Sequence, residues 1–164
     1  MLSKEYLNKL FDYNPETGLL TWKVARSNRI SKGSVVGSDT GNGYFKVSID
    51  KKYYKVHRII WQMLYGTLPD NYVIDHINGN GQDNRLCNLR LATLQENQRN
   101  SIKNSPSTSK YKGVNYDKDR NKWKAEFRCN NRSYFIGRFD TEKDAKEAYD
   151  TVAKIVFGEF FNKG

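Results

Sequence analysis

Apolar residues recur at two periods along the chain, and each predicts its own kind of element. Leu2, Tyr6, Leu7, Leu10 and Phe11 fall near helical spacing and predict a helix over 4–11, stopped by the turn-forming string Asn14-Pro-Glu-Thr-Gly18. Leu19-Leu20-Thr21-Trp22 reads as a strand. After a Gly- and Ser-rich stretch over 31–43, two further strands are expected at 44–49 and 53–56, joined at Asp50-Lys51-Lys52. His57 to Tyr65 reads as a helix closed by Gly66, its apolar residues forming core. Val73 and Ile74 then make a short apolar run ending in Asp75-His76, and the pairs Asn78-Gly79 and Asn80-Gly81 follow at once, the mark of a strand stopping in tight turns. Leu86, Leu89 and Leu91 give a second apolar stretch. Thr93-Leu-Gln-Glu96 has the form of a capping box, in which hydroxyl and carboxylate each satisfy a free amide, so a helix is expected from about Thr93 with Asn97 in its first turns.

Small polar residues and a proline in Asn104-Ser-Pro-Ser-Thr-Ser-Lys110 break this pattern and read as a linker. Beyond it, 111–116 reads as a strand. Lys122 to Cys129 alternates strictly, with Trp123, Ala125, Phe127 and Cys129 on one face and Lys122, Lys124, Glu126 and Arg128 on the other. A third strand is expected over 132–138. Thr141-Glu-Lys-Asp144 opens a helix whose Ala145, Ala148, Tyr149, Val152, Ala153 and Val156 form a stripe that must cover the sheet. The expected fold class is α+β. Four regions are expected: 1–50, a small basic sheet region; 51–103, strand, turns, strand and helix; 104–110, the linker; and 111–164, a three-stranded antiparallel sheet packed on one helix.

Composition narrows the function. With 164 residues of which 37% are hydrophobic, each core must be small. A formal charge of +10 with 13% aromatic residues favours a polyanion, nucleic acid first. Lys23, Arg26, Arg29, Lys32, Lys46, Lys51, Lys52 and Lys55 make the first region basic, as a sheet facing DNA would be. No stretch approaches the ~20 apolar residues of a membrane span, and Met1-Leu-Ser-Lys-Glu5 lacks the apolar core of a signal peptide, so a cytoplasmic protein of a bacterial or phage-infected cell is expected. Cys87 and Cys129 lie far apart in different expected domains, against a structural disulfide in a reducing compartment. With His57 and His76 as the chain's only histidines, no closed zinc site of usual spacing can be built.

The order strand, turn-rich loop, strand, helix, with Asp75-His76 at the first strand's end, Asn88 in Asn88-Leu89-Arg90 and Asn97 on the helix, resembles the HNH nuclease family, the ββα-metal fold. The resemblance covers about 53–100 and is closest in spacing to phage and intron-type HNH homing endonucleases. The Asn-Pro-Glu-Thr-Gly-Leu-Leu-Thr-Trp string resembles the front of many such proteins. It implies that Asp75 and Asn97 hold one divalent metal, Mg²⁺ or Mn²⁺, that His76 is the general base, and that Asn88 holds the His76 loop in place. The third letter of the motif is Asn97 here, a known variant, and His57-Arg58 belongs to the family scaffold. These residue types suit the chemistry. Phosphodiester hydrolysis needs an activated water and neutralisation of charge on phosphorus and the leaving oxygen, which a neutral imidazole and a hard cation can supply. Asp75 and His76 are neighbours on a strand, so they are expected to share a site only if the chain bends there.

Lys110-Tyr-Lys-Gly-Val114, Lys122-Trp-Lys-Ala-Glu-Phe-Arg128, Ile136-Gly-Arg-Phe139 and Ala145-Lys-Glu-Ala-Tyr-Asp150 resemble the Apetala-two/ethylene-response-factor DNA-binding domain, over about 55 residues. That resemblance implies a sheet in the DNA major groove, with Lys112, Glu126, Arg128 and Phe135 facing DNA. The chain has Asn115 and Ser133 where plant relatives often place guanine-reading arginines. Charge favours the same side: residues 110–138 hold nine Lys and Arg against three Asp and Glu, whereas 139–164 hold four against six. Lys122 and Lys124 belong to the same basic face. The expected protein is a monomeric, metal-dependent endonuclease on double-stranded DNA, needing no membrane and no protein partner. Its rivals are a low-specificity phage nuclease and a non-catalytic DNA-binding regulator. A cut near Ser105 is expected to leave a nuclease that folds and still cleaves.

Overall fold

The computed structural model describes residues 2–39, 41–100, 108–129 and 132–162, and the chain divides after Leu94 into two compact units. In the first unit, helix α1 (Lys4–Leu10) begins at Ser3, whose Oγ accepts the Tyr6 amide at 3.1 Å. It ends one residue before the sequence suggests, because Phe11 turns extended and opens β1 (Phe11–Tyr13). There its ring packs on Trp22 at 4.6 Å, in β2 (Leu20–Trp22), the antiparallel partner of β1. Between them Asn14 Oδ1 accepts the amides of Glu16 and Thr17, and Gly18 takes a φ of +75°. A second antiparallel sheet follows in the order β3 (Ser38–Asp39), β4 (Phe45–Ile49), β5 (Lys52–Lys55). Its β4–β5 turn has Asp50 and Lys51 both at positive φ.

Helix α2 (Val56–Tyr65) continues directly from β5 and buries Val56, His57, Ile59, Ile60 and Met63. The hairpin of β6 (Tyr72–His76) and β7 (Leu89–Thr93) completes the unit, pairing Asp75 with Arg90 and His76 with Leu89. Leu86 to Asn88 form a 3₁₀ turn, so the second strand starts at Leu89, past the first of its expected leucines. One core joins α1, the two sheets, α2 and the hairpin through Leu7, Phe11, Trp22, Ile49, Ile60, Ile74 and Leu89. Residues 2–50 therefore share their core with the motif-bearing hairpin. Phe11 is fully buried, and truncating such a ring to Ala costs ~3–5 kcal/mol.

The second unit opens with α3 (Leu94–Asn100) and continues as an antiparallel sheet in the order β10 (Arg132–Phe139), β9 (Lys122–Cys129), β8 (Val114–Asp117). α4 (Glu142–Phe157) follows, with Thr141 Oγ1 accepting the Asp144 amide at 3.1 Å, and packs on all three strands. The buried residues of α4 are Ala145, Tyr149, Ala153 and Phe157, and Val156 is exposed. The covering ridge runs at a strict spacing of four residues, so Phe157 rather than its neighbour closes it against Phe127 at 5.7 Å. The first strand starts at Val114, three residues later than expected. Residues 104–107 of the expected linker lie outside the described residues. Of the remainder, Thr108 Oγ1 accepts the Tyr116 amide and Ser109 is buried, which ties them to this unit. Among the described residues no helix is long and apolar enough to cross a membrane.

Candidate active site

β6 stays paired through His76, and Ile77 extends the ladder by donating to the Asn88 carbonyl at 2.9 Å. The turns therefore begin after Asp75-His76, and no bend falls between the two. Asp75, His76, His57 and Asn84 are each 4% exposed. Asp75 Oδ2 accepts Arg90 Nε at 2.8 Å and lies 2.8 Å from Arg90 Nη2, directly across the hairpin. His76 Nε2 is 3.2 Å from Asn84 Oδ1. An amide oxygen cannot donate, so this bond puts the proton on Nε2 and the lone pair on Nδ1.

The surroundings hold the imidazole neutral. Burial lowers the pKa of His76, opposed by the Asn84 hydrogen bond and by the charges of Asp75 and Asp83, while Lys55 adds to the lowering. His57 packs edge-on to His76 with ring centres 5.0 Å apart, and Tyr44 lies 5.3 Å from His57 and 5.8 Å from His76. Burial, then His76, Lys55 and Arg58, pushes His57 down to about 3. Its Nδ1 is buried without a hydrogen-bond partner, and the Lys55 ammonium sits 4.2 Å from the centre of the Tyr44 ring.

The loop after His76 is braced by its own polar residues. Asn88 Oδ1 accepts the Asn78 amide at 3.0 Å, while Asn88 Nδ2 donates to Asn78 Oδ1 at 3.0 Å and to the Asp83 carbonyl at 2.8 Å. Asp83 binds Asn78 Nδ2 and Arg85, whose guanidinium holds the Asp83 carboxyl down at about 2. The N-terminal region braces it again: Tyr13 OH donates to the Asn84 carbonyl at 2.8 Å and Leu86 N to the Pro15 carbonyl at 3.1 Å. A Cβ at Gly18 would lie 2.5 Å from the Arg85 nitrogen, so the Asn14–Gly18 turn needs glycine to lie against the loop. At Gly81 a Cβ would fall onto the Tyr44 ring, which fixes the loop beside the imidazole pair.

Asp75, His76 and Asn88 thus lie on one hairpin, but Asp75 and His76 are successive residues of an unbent strand, and the bend expected to bring them to one face is not there. Asn97 lies on α3, in the second unit. The Asp75 carboxylate and the Asn97 amide oxygen are each donors of the kind a hard divalent cation takes. Among the described residues no three His, Cys, Asp or Glu gather into a metal-holding group. The residues that sequence reading did not single out are Asn84, Tyr13 and Arg90.

In the second unit, register places Lys122, Lys124, Glu126 and Arg128 on the sheet face opposite α4, with Phe135 beside Glu126 and Arg138 beside Lys124. Lys124 pairs with Glu126 at 2.9 Å and Lys122 with Asp140. Phe135 is exposed under the Arg138 guanidinium, 4.9 Å from its ring centre. Lys112 precedes β8, and its ammonium donates to the carbonyls of Gln98 at 3.0 Å and Arg99 at 2.6 Å.

Comparison with known proteins gives two matches, the first of which crosses the division after Leu94. Residues 54–99 match the family model described as HNH endonuclease, and residues 109–158 match the AP2 domain. The HNH endonuclease match and the AP2 match thus fall on separate segments of the chain. It is 36% identical over 121 residues to an uncharacterized HNH endonuclease of Acanthamoeba polyphaga mimivirus, covering 73% of this chain and 62% of that protein. It is 39% identical over 77 residues to Protein 3.8 of Escherichia phage T7, covering 45% of this chain and 64% of that protein. The chain thus spans under two thirds of the length of these curated relatives. A solved structure titled DNA binding and cleavage by the HNH homing endonuclease I-HmuI is similar over 56% of this chain and 51% of that one, at 22% identity and a TM-score of 0.42.

Proposed function

We propose that the protein is a metal-dependent endonuclease that hydrolyses phosphodiester bonds of double-stranded DNA, of the homing type, held on its substrate by the AP2 sheet. The observation that carries this reading is the buried, neutral His76, with Nε2 bonded to Asn84 and its lone pair on Nδ1, on a hairpin beside a buried carboxylate. Burial keeps the imidazole unprotonated near neutral pH, and the Asn84 oxygen stabilises the imidazolium formed when Nδ1 takes a proton from water. Asn88, Asp83 and Asn78 fix the loop, so the imidazole reaches the reaction already oriented. Asp75 and Asn97 would hold the divalent ion, Mg²⁺ or Mn²⁺. When bound, such an ion neutralises charge on the phosphate and the leaving oxygen. Arg90 holds the Asp75 carboxylate in place.

The basic β3–β4–β5 sheet, with Lys46 over Tyr53 at 4.9 Å, and the AP2 face of Lys122, Lys124, Glu126, Arg128 and Phe135 are the surfaces for the duplex. The test is cleavage of supercoiled plasmid by purified wild type and His76→Ala, with Mg²⁺ or EDTA. Mg²⁺-dependent nicking or linearisation by wild type alone supports the reading. DNA binding without cleavage under any metal would make the protein a regulator on a nuclease scaffold.

A further inference from the structure

The helix that carries Asn97 is held by a side chain from outside it. Lys112, which precedes β8, donates its ammonium to the carbonyls of both Gln98 and Arg99 on α3. Two further contacts hold the same end of α3. Arg99 Nη2 donates to Cys129 Sγ at 3.3 Å, and the Arg99 guanidinium lies 5.4 Å from the centre of the Phe157 ring. These groups line a cavity of 430 Å³ between α3, the end of β9 and α4. Burial of the Lys112 ammonium lowers its pKa to about 8, as expected of a cation withdrawn from water.

We infer that Lys112 is a positioning residue. By holding the Gln98 and Arg99 carbonyls, it makes the order of the helix bearing Asn97 depend on the AP2 fold. The inference rests on the proposed role of Asn97 for its link to catalysis, and on the geometry alone for its link to the helix. An ammonium holding two carbonyls is not available to phosphate, so Lys112 serves α3 while Lys124 and Arg128 serve DNA. A chain cut near Ser105 then loses the clamp along with the DNA grip, and its nuclease requires more metal than a purely modular arrangement predicts.

The experiment uses the full chain. Amide hydrogen exchange across α3, without DNA, is compared for wild type, Lys112→Met, Lys112→Arg and Lys124→Met. Alongside it are measured the salt slope of DNA affinity and the Mg²⁺ concentration giving half-maximal cleavage. Lys112→Met should speed exchange in α3 several-fold and raise the Mg²⁺ requirement several-fold, with cleavage recovering at saturating Mg²⁺ and the salt slope unchanged. Lys112→Arg, which keeps a cationic donor, should restore slow exchange. Lys124→Met should flatten the salt slope by ~0.9 and leave α3 exchange alone. Unchanged α3 exchange in Lys112→Met overturns the inference, as does a salt slope flattened as much as in Lys124→Met. Because exchange and binding need no turnover, an inactive wild type would sink the nuclease reading without deciding this one.

Discussion

In the loop 77–88, Asn78, Asp83, Asn84 and Asn88 direct their polar atoms to one another, to the backbone and to His76. On the β9 face, Arg128 and Phe135 meet solvent, and Lys124 and Glu126 pair while still partly exposed. The two regions are similarly polar in sequence and opposite in physics. Around the buried Asn84, Asn88 and His76 water is excluded, so each bond there fixes a geometry, and a lost partner leaves a desolvated group costing ~1–3 kcal/mol. On the sheet face the same kinds of group stay hydrated, their pairing contributes ~0–1 kcal/mol, and their charges remain open to exchange for phosphate. On the proposed function, the first region holds a proton acceptor still and the second is rearranged by its ligand.

The sharpest way to break this contrast is at its chemical end. His76→Ala should lower cleavage by ~10²–10⁴-fold while gel-shift affinity for DNA stays intact. Undiminished cleavage would remove the reason for reading the loop as catalytic. Asn84→Leu should follow with a ~10–100-fold loss, the scale of a lost partner to a working imidazole. In this variant the ¹⁵N shifts of His76 should no longer report protonation fixed at Nε2, and unchanged shifts would count against the orienting role. On the other side, Lys124→Ala and Arg128→Ala should leave turnover at saturating DNA unchanged and stability within ~0.5 kcal/mol. Each should make the slope of log affinity against log salt shallower by ~0.9, and a steeper loss in turnover than in binding would mean the sheet face reaches the chemistry.

The smallest expected effect concerns the second imidazole. His57 has a folded pKa of about 3 against an ordinary 6.5, so between those values the unfolded chain takes up the proton first. Stability contributed by the neutral ring is present above pH 6.5 and is lost as pH falls through that window toward 3. His57→Leu should therefore flatten the dependence of the unfolding midpoint on pH between 6.5 and 3. An equally steep dependence in the variant would place the acid sensitivity elsewhere.

Much of this was legible in the chain, for reasons that differ by element. β9 declared itself through strict alternation, and β6 through an apolar run cut off by two Asn-Gly pairs. Phe11 read as helical because a period cannot say which residue of a helix end is pulled into a neighbouring strand; its contact with Trp22 decided that. Val156 and Phe157 are adjacent, and a 3.6-residue period does not separate them until the sheet beneath is known. Asn84 was invisible, since an Asn in a turn is ordinary and this one acquires its role when the loop closes onto Nε2. Arg90 likewise needed the hairpin register before its partner could be named. Lys112 matched a position whose family counterpart faces DNA, and no local pattern announces a side chain that bonds the carbonyls of another helix.

The single core that joins α1 to the β6–β7 hairpin also has a consequence for biosynthesis. Leu7 and Phe11 leave the ribosome early, and the strands carrying Ile74 and Leu89, which complete their packing, leave late. At roughly 5–20 residues per second this is a delay of several seconds in which the N-terminal apolar residues lack their final partners. A chain abandoned after α2 but before β6 carries His57 and the basic sheet without the strand that anchors the loop around His76. Such fragments cannot assemble the buried imidazole pair.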